Sequence, residues 1–147
     1  MAKVKHRVGI AGSIDKIFNA LTTDTGLAGW WASSAIVNAE VGGKVNLTFD
    51  GLAVLRFQYV EIQPHKLVSI KCLAGPGPWQ DSEIRFELER ADHQVFVSLT
   101  HDNSASSEDD FLYFSTKWTC YLLSLRDLIE TGNGRPYPND IKIHVGD

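Results

Sequence analysis

Hydrophobic and polar positions recur with two different periods along this chain. In residues 3–11, KVKHRVGIA, Val4, His6, Val8 and Ile10 fall on one side and Lys3, Lys5 and Arg7 on the other. A period of two predicts a strand with one buried face. Ser13 then offers an N-cap, and Ile14, Ile17, Phe18 and Leu21 follow at helical spacing. A short helix ending near Thr22 is expected there. Asp24 is placed to cap a second short helix carrying Leu27, Trp30 and Trp31. Neighbouring indoles on a helix lie about 100° apart around its axis. The expectation is that Trp31 is buried under a longer element and Trp30 sits nearer a rim.

The middle of the chain returns to a period of two. Strands are expected at 35–39, at 45–49 (Val45, Leu47 and Phe49 on one face), at 53–62, at 67–73, at 83–90 (Ile84, Phe86 and Leu88) and at 94–101 (Val95, Val97, Leu99 and His101). Gly42-Gly43, Asp50-Gly51, Pro64-His65 and Ala91-Asp92-His93 separate them as turns, and AGPGPW at 74–79 is a loop. Strands following one another through short turns predict an antiparallel meander. The pattern leaves open which face carries Arg56 and Gln58. After a polar loop at 102–108, Phe111, Phe114, Trp118, Leu122, Leu125 and Ile129 recur at steps of three and four. They predict an amphipathic helix over 109–131, about 22 residues and ~33 Å long. Thr131-Gly132-Asn133-Gly134 stops it. The tail, 133–147, is polar and contains prolines; it is expected to lie along the surface or to move.

One face of such a sheet needs a cover, and the long helix is the element long enough to supply it. The fold class expected is α+β: a curved antiparallel sheet around a long C-terminal helix, with two short helices after the first strand. The bend of the sheet leaves room for a cavity between sheet and helix.

Composition narrows the functional classes. A chain of 147 residues predicts one domain over 1–147, large enough to fold without disulfide or metal. A net charge of -4 and the absence of a basic stripe argue against nucleic-acid binding. No apolar run is long enough for a membrane span, and the first residues lack the apolar block of a signal peptide, so a cytoplasmic location is expected. Cys72 and Cys120 have no metal-ligand or redox spacing and are expected to be free thiols.

Four stretches, SIDKIFNALTTDTGLAGWW…VGGKVNLTF, YVEIQPHKLVSI, SEIRFELERADHQVFVSLTHDN and KWTCYLLSLRDLIETGNGRPY, carry a resemblance. In this order they resemble the Activator of Hsp90 ATPase homologue 1-like family of the START-like, Bet v 1-like (SRPBCC) superfamily. The resemblance implies a helix-grip fold. It does not imply one function, because carriers, cyclases, receptors and chaperone regulators share this scaffold. Many family members carry a glycine before the helix tryptophan, where this chain has Lys117.

No nucleophile elbow, zinc-hydrolase helix, P-loop or dinucleotide fingerprint is present. No catalytic residue, metal ligand or cofactor is therefore assigned. His65, His93 and His144 fall in turns or the tail, and His6 reads as a packed, hydrogen-bonded histidine. His101 ends an apolar strand face and is expected at one mouth of the cavity, where it could orient a polar ligand group. Asp102 points to the opposite face and is a poor partner for it. Trp79 reads either as a lid or as a cover over exposed sheet. Together the expected ligand-binding residues are Trp30, Trp31, Phe49, Phe57, Tyr59, Trp79, Phe86, His101, Phe114, Trp118, Tyr121 and Leu122. Clustered aromatics with few polar groups suit a small hydrophobic or aromatic ligand.

The leading expectation is thus a small-molecule binder or carrier. One alternative is a cyclase or hydrolase acting in the same cavity, sensitive to His101→Ala or Tyr59→Phe. Another is a stress-related or co-chaperone interaction domain. The resemblance implies a chaperone partner, although the domain naming the family works beside a second, chaperone-binding domain for which these residues leave no room. A homodimer is also compatible with the reading.

Overall fold

The computed structural model describes residues 3–102 and 107–147; most of the expected polar loop lies outside them. Seven strands form one antiparallel sheet: β1 (Val4–Ile10), β2 (Ser34–Val37), β3 (Lys44–Phe49), β4 (Ala53–Gln63), β5 (Leu67–Ala74), β6 (Glu83–Ala91) and β7 (Gln94–Asp102). Their order is β1-β7-β6-β5-β4-β3-β2. Strands β2 to β7 therefore run as the meander that their turns predict. Strand β1 closes the far edge by pairing with β7, from Val4 opposite His101 to Ile10 opposite Val95.

Short helices α1 (Ile14–Thr22) and α2 (Asp24–Trp30) follow β1, and the long helix α3 (Glu108–Thr131) ends the regular structure. Ser13 caps α1 by accepting the Lys16 amide. Thr23, rather than Asp24, caps α2, accepting from Gly26 N at 3.0 Å. Asp24 turns its carboxylate to the amide of Val37 instead, at 2.8 Å, and so holds the short edge strand β2 against α2. Ser107 caps α3 one residue earlier than expected, and Gly132 ends it in the left-handed region at φ 86°.

The alternation decides what lies inside. Leu55, Phe57 and Tyr59 of β4, Ile84, Phe86 and Leu88 of β6, and Val95, Val97, Leu99 and His101 of β7 are all buried. Arg56 and Gln58 face outward, Gln58 donating to the Gly42 carbonyl at 3.0 Å. Register shifts between Arg56 and Phe57 and between Tyr59 and Glu61 interrupt the β4–β5 ladder. Bulges of this kind bend a strand and increase its twist, which curves the sheet around α3. One apolar cluster joins the inner sheet face to Phe114, Trp118, Leu122 and Leu125 of α3. This is the helix-grip arrangement.

The tail is held in place along the surface by specific contacts. Gly134 packs so closely that a Cβ there would lie 2.3 Å from the carbonyl oxygen of Gly29. Arg135 N donates to Ser124 Oγ at 2.7 Å, Ser124 Oγ donates to Trp30 O at 2.7 Å, and Tyr137 N donates to Trp31 O at 3.1 Å. Residues 134–147 are thereby folded back over α2 and α3. The physical reason is backbone hydrogen bonding at the end of α2, which composition does not reveal.

Candidate functional site

The two adjacent tryptophans are both fully buried, so Trp30 does not sit at a rim. Helix α2 ends at Trp30, and Trp31 leaves helical geometry at φ -120°, ψ -64°. That break swings the second indole back alongside the first instead of onward around the axis. The rings stack at 5.2 Å with 20° between planes. Trp30 Nε1 donates to the carbonyl of Ala20 at 2.9 Å. Trp31 spreads against Phe57, Trp79, Trp118 and Tyr121, with ring centroids 5.4–6.4 Å apart. Its own Nε1 has no hydrogen-bond partner among the described residues.

His101 is likewise buried rather than set at a mouth. Trp79 and Phe114 cover it, with ring centroids at 5.2 and 5.0 Å. Trp118 Nε1 donates to its Nδ1 at 2.9 Å, so Nδ1 carries no proton. Its Nε2 therefore carries the proton, 2.9 Å from Ser82 Oγ, which in turn donates to Trp79 O at 2.7 Å. The chain of donors runs one way through a neutral imidazole. Burial, only partly opposed by the nearby Asp102, pushes its pKa down to about 3. Both nitrogens are engaged, which suits a structural link between β7 and α3 rather than proton transfer.

Lys117 supplies a feature the sequence pattern did not expose. Its side chain is 2% exposed. Its ammonium donates to Asp140 Oδ2 at 2.7 Å, to Asp147 Oδ2 at 2.9 Å and to the Ile141 carbonyl at 2.9 Å. All three ammonium protons are thus used. Tyr113 donates its hydroxyl to the other oxygen of Asp147, and Ile143 N donates to Asp147 at 3.0 Å. Burial disfavours the charge on Lys117, but the two carboxylates outweigh it and raise its pKa. Burial would raise the Asp147 pKa, but the donors from Tyr113, Ile143 and Lys117 lower it.

Between this latch and the sheet opens a cleft of about 440 Å³. Its floor and walls come from three sources: Phe49 to Leu55 around the β3–β4 turn, Trp79 of the loop before β6, and Tyr113 and Tyr121 of α3. The tail forms the fourth side with Tyr137, Asp140 and residues 144–147. Among the described residues no cluster of His, Cys, Asp or Glu could hold a metal ion.

The family model for Activator of Hsp90 ATPase homolog 1-like proteins matches residues 11–130. The chain belongs to this family. A family relative from Colwellia psychrerythraea, whose structure is described as the Aha1 dimer in solution, is 38% identical. The match covers 91% of this chain and all of that one, with a TM-score of 0.80. Protein SSP2350 of Staphylococcus saprophyticus is 17% identical over 92% of this chain and 97% of its own, with a TM-score of 0.78. Protein MLL2253 of Mesorhizobium loti is 19% identical over 88% and 97%, with a TM-score of 0.75. The last two show a shared fold alone. No curated protein matches the chain.

Within this family fold, three of the twelve expected ligand-binding residues line the cleft: Phe49, Trp79 and Tyr121. The other nine, Trp30, Trp31, Phe57, Tyr59, Phe86, His101, Phe114, Trp118 and Leu122, are buried in the core behind them. Tyr59 donates to the Leu21 carbonyl at 3.0 Å and anchors α1. His6 meets Ser115 at 3.2 Å, the packed role expected of it. Tyr113, Tyr137, Asp140 and Asp147 were missing from the expected set. The signal for them was Lys117: a long cation on the inner face of an apolar helix requires a buried anion.

Proposed function

We propose that this chain acts in the cytosol as a binder or carrier of a small hydrophobic or aromatic molecule, held in the cleft between the sheet, α3 and the tail. The observation that carries this reading is the cleft itself, walled by Phe49, Trp79, Tyr113, Tyr121 and Tyr137. Aromatic walls with a few fixed polar groups are the usual make-up of a small-molecule pocket. The polar groups at its edge, Asp140 and Asp147, are already paired with Lys117 and Lys142, two carboxylates against two ammonium groups, so the site favours an uncharged ligand.

A thermal-shift panel of lipids, flavonoids and polyketides tests it. A ligand at about 100 times its dissociation constant stabilises by ~2.7 kcal/mol, or about 5–10 °C for a chain of this size. A broad panel with no stabilising member would remove this function.

A second reading is favoured by the relative from Colwellia psychrerythraea, whose name and dimeric state suggest a chaperone cofactor that self-associates. The chain would then raise the ATPase rate of an Hsp90-type chaperone and sediment as a dimer. An unchanged ATPase rate together with a monomeric sedimentation coefficient would dismiss it.

A further inference from the structure

The outward face of the sheet, turned away from α3, divides into two halves of different chemistry. Across β6, β7 and β1 charges of both signs are interleaved. Lys3 pairs with Asp102 at 3.6 Å, and Arg85 pairs with Glu61 and Glu87 at 3.5 and 3.2 Å. Across β2 to β5 the outward cations are Lys44, Arg56 and Lys71, and none of them forms an ion pair among the described residues. Glu61, the outward acid on these strands, is turned to Arg85. Glu83 stands opposite Lys71 in the β5–β6 register without closing to ion-pair distance. The chain holds 18 acidic and 14 basic residues, so cations left without acids on one face run against its overall balance. Between them stand Ile36, Val54, Val60 and Leu73, 39–72% exposed. Among the described residues, the exposed large hydrophobics of the sheet all lie on this half.

The register sets the spacing of these groups. Lys44, Gln58 and Lys71 occupy one row across β3, β4 and β5. With strands ~4.8 Å apart the two lysines start about 10 Å from each other, and Arg56, two residues along β4, completes a triangle with sides of about 8–10 Å. Ile36 and Asn46 share the row of Arg56, and Leu73 stands at the register shift beside it. From this arrangement we propose that the outward face of β2 to β5 docks an acidic amphipathic helix of a partner protein. Its carboxylates meet Lys44, Arg56 and Lys71, and its aliphatic side chains meet Ile36, Val54 and Leu73. Carboxylates one and two turns apart on a helix are ~5.4 and ~11 Å apart, a spacing that long flexible cations can follow. An anionic membrane fits less well, because Glu40 and Asp50 are exposed in the turns at the two ends of β3 and a broad negative surface would meet them too. A helix is narrow enough to lie between them. Nucleic acid would gain little from three cations on a chain of net charge -4. The patch measures about 20 by 20 Å, or ~400 Å² a side, the size of a weak, transient interface. It lies on the opposite side of the sheet from α3, so this surface and the cleft can be occupied together.

The probe is a fluorescein-labelled helical peptide of about five turns, with glutamates one and two turns apart and leucines between them. A second peptide has glutamine in place of every glutamate. Fluorescence anisotropy with the full chain gives the affinities, and amide shifts of the ¹⁵N-labelled chain give the location. The glutamate peptide is expected to bind with a dissociation constant on the order of 10–100 μM at 50 mM salt and about tenfold more weakly at 300 mM. The glutamine peptide should bind at least tenfold more weakly at low salt, and the shifts should fall on β2 to β5. Lys44→Glu and Arg56→Glu should each cut affinity roughly fivefold or more. Lys5→Glu, the same charge reversal on an exposed position of β1, should leave it within about twofold. All three side chains are exposed, and unchanged thermal midpoints will show that the variants fold. Equal binding of the two peptides, shifts mapping elsewhere, an equal loss in Lys5→Glu, or no binding of the glutamate peptide at 500 μM overturns the inference. Vesicles of phosphatidylserine and phosphatidylcholine are the competing probe. If they bind more tightly than the peptide and lose to Lys44→Glu and Arg56→Glu, the face belongs to a membrane and the helix partner is overturned.

Discussion

At position 101 an imidazole sits among Trp79, Phe114 and Trp118 with its two nitrogens committed in opposite senses, one accepting and one donating. A second proton would have to enter on Nδ1, where the Trp118 N–H already points. Burial among these rings, only partly opposed by Asp102, holds the folded pKa at about 3, against 6.5 for the free side chain. Between those values the unfolded chain binds more protons than the folded one. Stability from this residue is complete above about pH 6.5 and is lost as pH falls toward 3, by up to ~1.4 kcal/mol per pH unit. Gln at this position can accept from Trp118 and donate to Ser82 without titrating. His101→Gln is expected to fold, to lose about 1–2 kcal/mol at pH 7, and to show a flatter stability–pH curve between pH 6.5 and 4. Denaturant midpoints across that range measure it. A slope identical to that of the unsubstituted protein would place the acid sensitivity elsewhere.

Among the elements, those with strict periods are readable in advance. The alternation at 84–88 and 95–101 identifies β6 and β7, and the three-and-four spacing from Phe111 to Ile129 identifies α3. The tail is not readable, because no period runs through it and its partners are single groups on other elements. Its position depends on Gly134 lying against Gly29, on two backbone amides, and on the charges around Lys117. Replacing one member of a buried ion pair leaves the other charge uncompensated, at a cost of about 3–5 kcal/mol. Here the chain has a cheaper response, which is to release the tail and let Asp140 and Asp147 hydrate. The loss in Lys117→Met is therefore capped at the docking energy of the tail. The expected outcome is a modest fall in global stability with a large local effect: trypsin should cut after Lys142 at least tenfold faster, which corresponds to ~1.4 kcal/mol of lost docking. The same release is expected in the unsubstituted protein at high pH. The Lys117 pKa is raised above 10.5, so its stabilisation is complete below that value and is lost as pH climbs past the folded pKa. Cleavage at Lys142 no faster in Lys117→Met would show that the backbone contacts alone hold the tail.

For the molecule as a whole, the fold was legible and the location of the cleft only partly so. Sheet and helix expose their inner faces in the sequence, and those faces point to a common interior. Whether that interior is filled or hollow depends on side-chain volume in three dimensions. Nine expected ligand residues fill it, and the open space is displaced toward the β3–β4 turn and the tail. The cleft is therefore a shared surface of three separately held parts. Tyr137, Asp140 and residues 144–147 close one side only while the tail is docked. A ligand touching that side binds the docked form better than the released form, and by linkage it must favour docking to the same degree. The apparent dissociation constant is the intrinsic one divided by the docked fraction. If Lys117→Met leaves the tail docked about a tenth of the time, affinity for a cleft ligand falls about tenfold. In the unsubstituted protein the same ligand should slow hydrogen exchange at the amides of Tyr137 and Ile143, which donate to Trp31 O and Asp147. Exchange measured with and without a stabilising ligand from the thermal-shift panel reads both sides of this coupling. Protection at those two amides that rises in step with occupancy is the expected result. Unchanged exchange at saturation would mean that the ligand rests on the sheet and α3 alone, and that the tail is a cover without a part in binding.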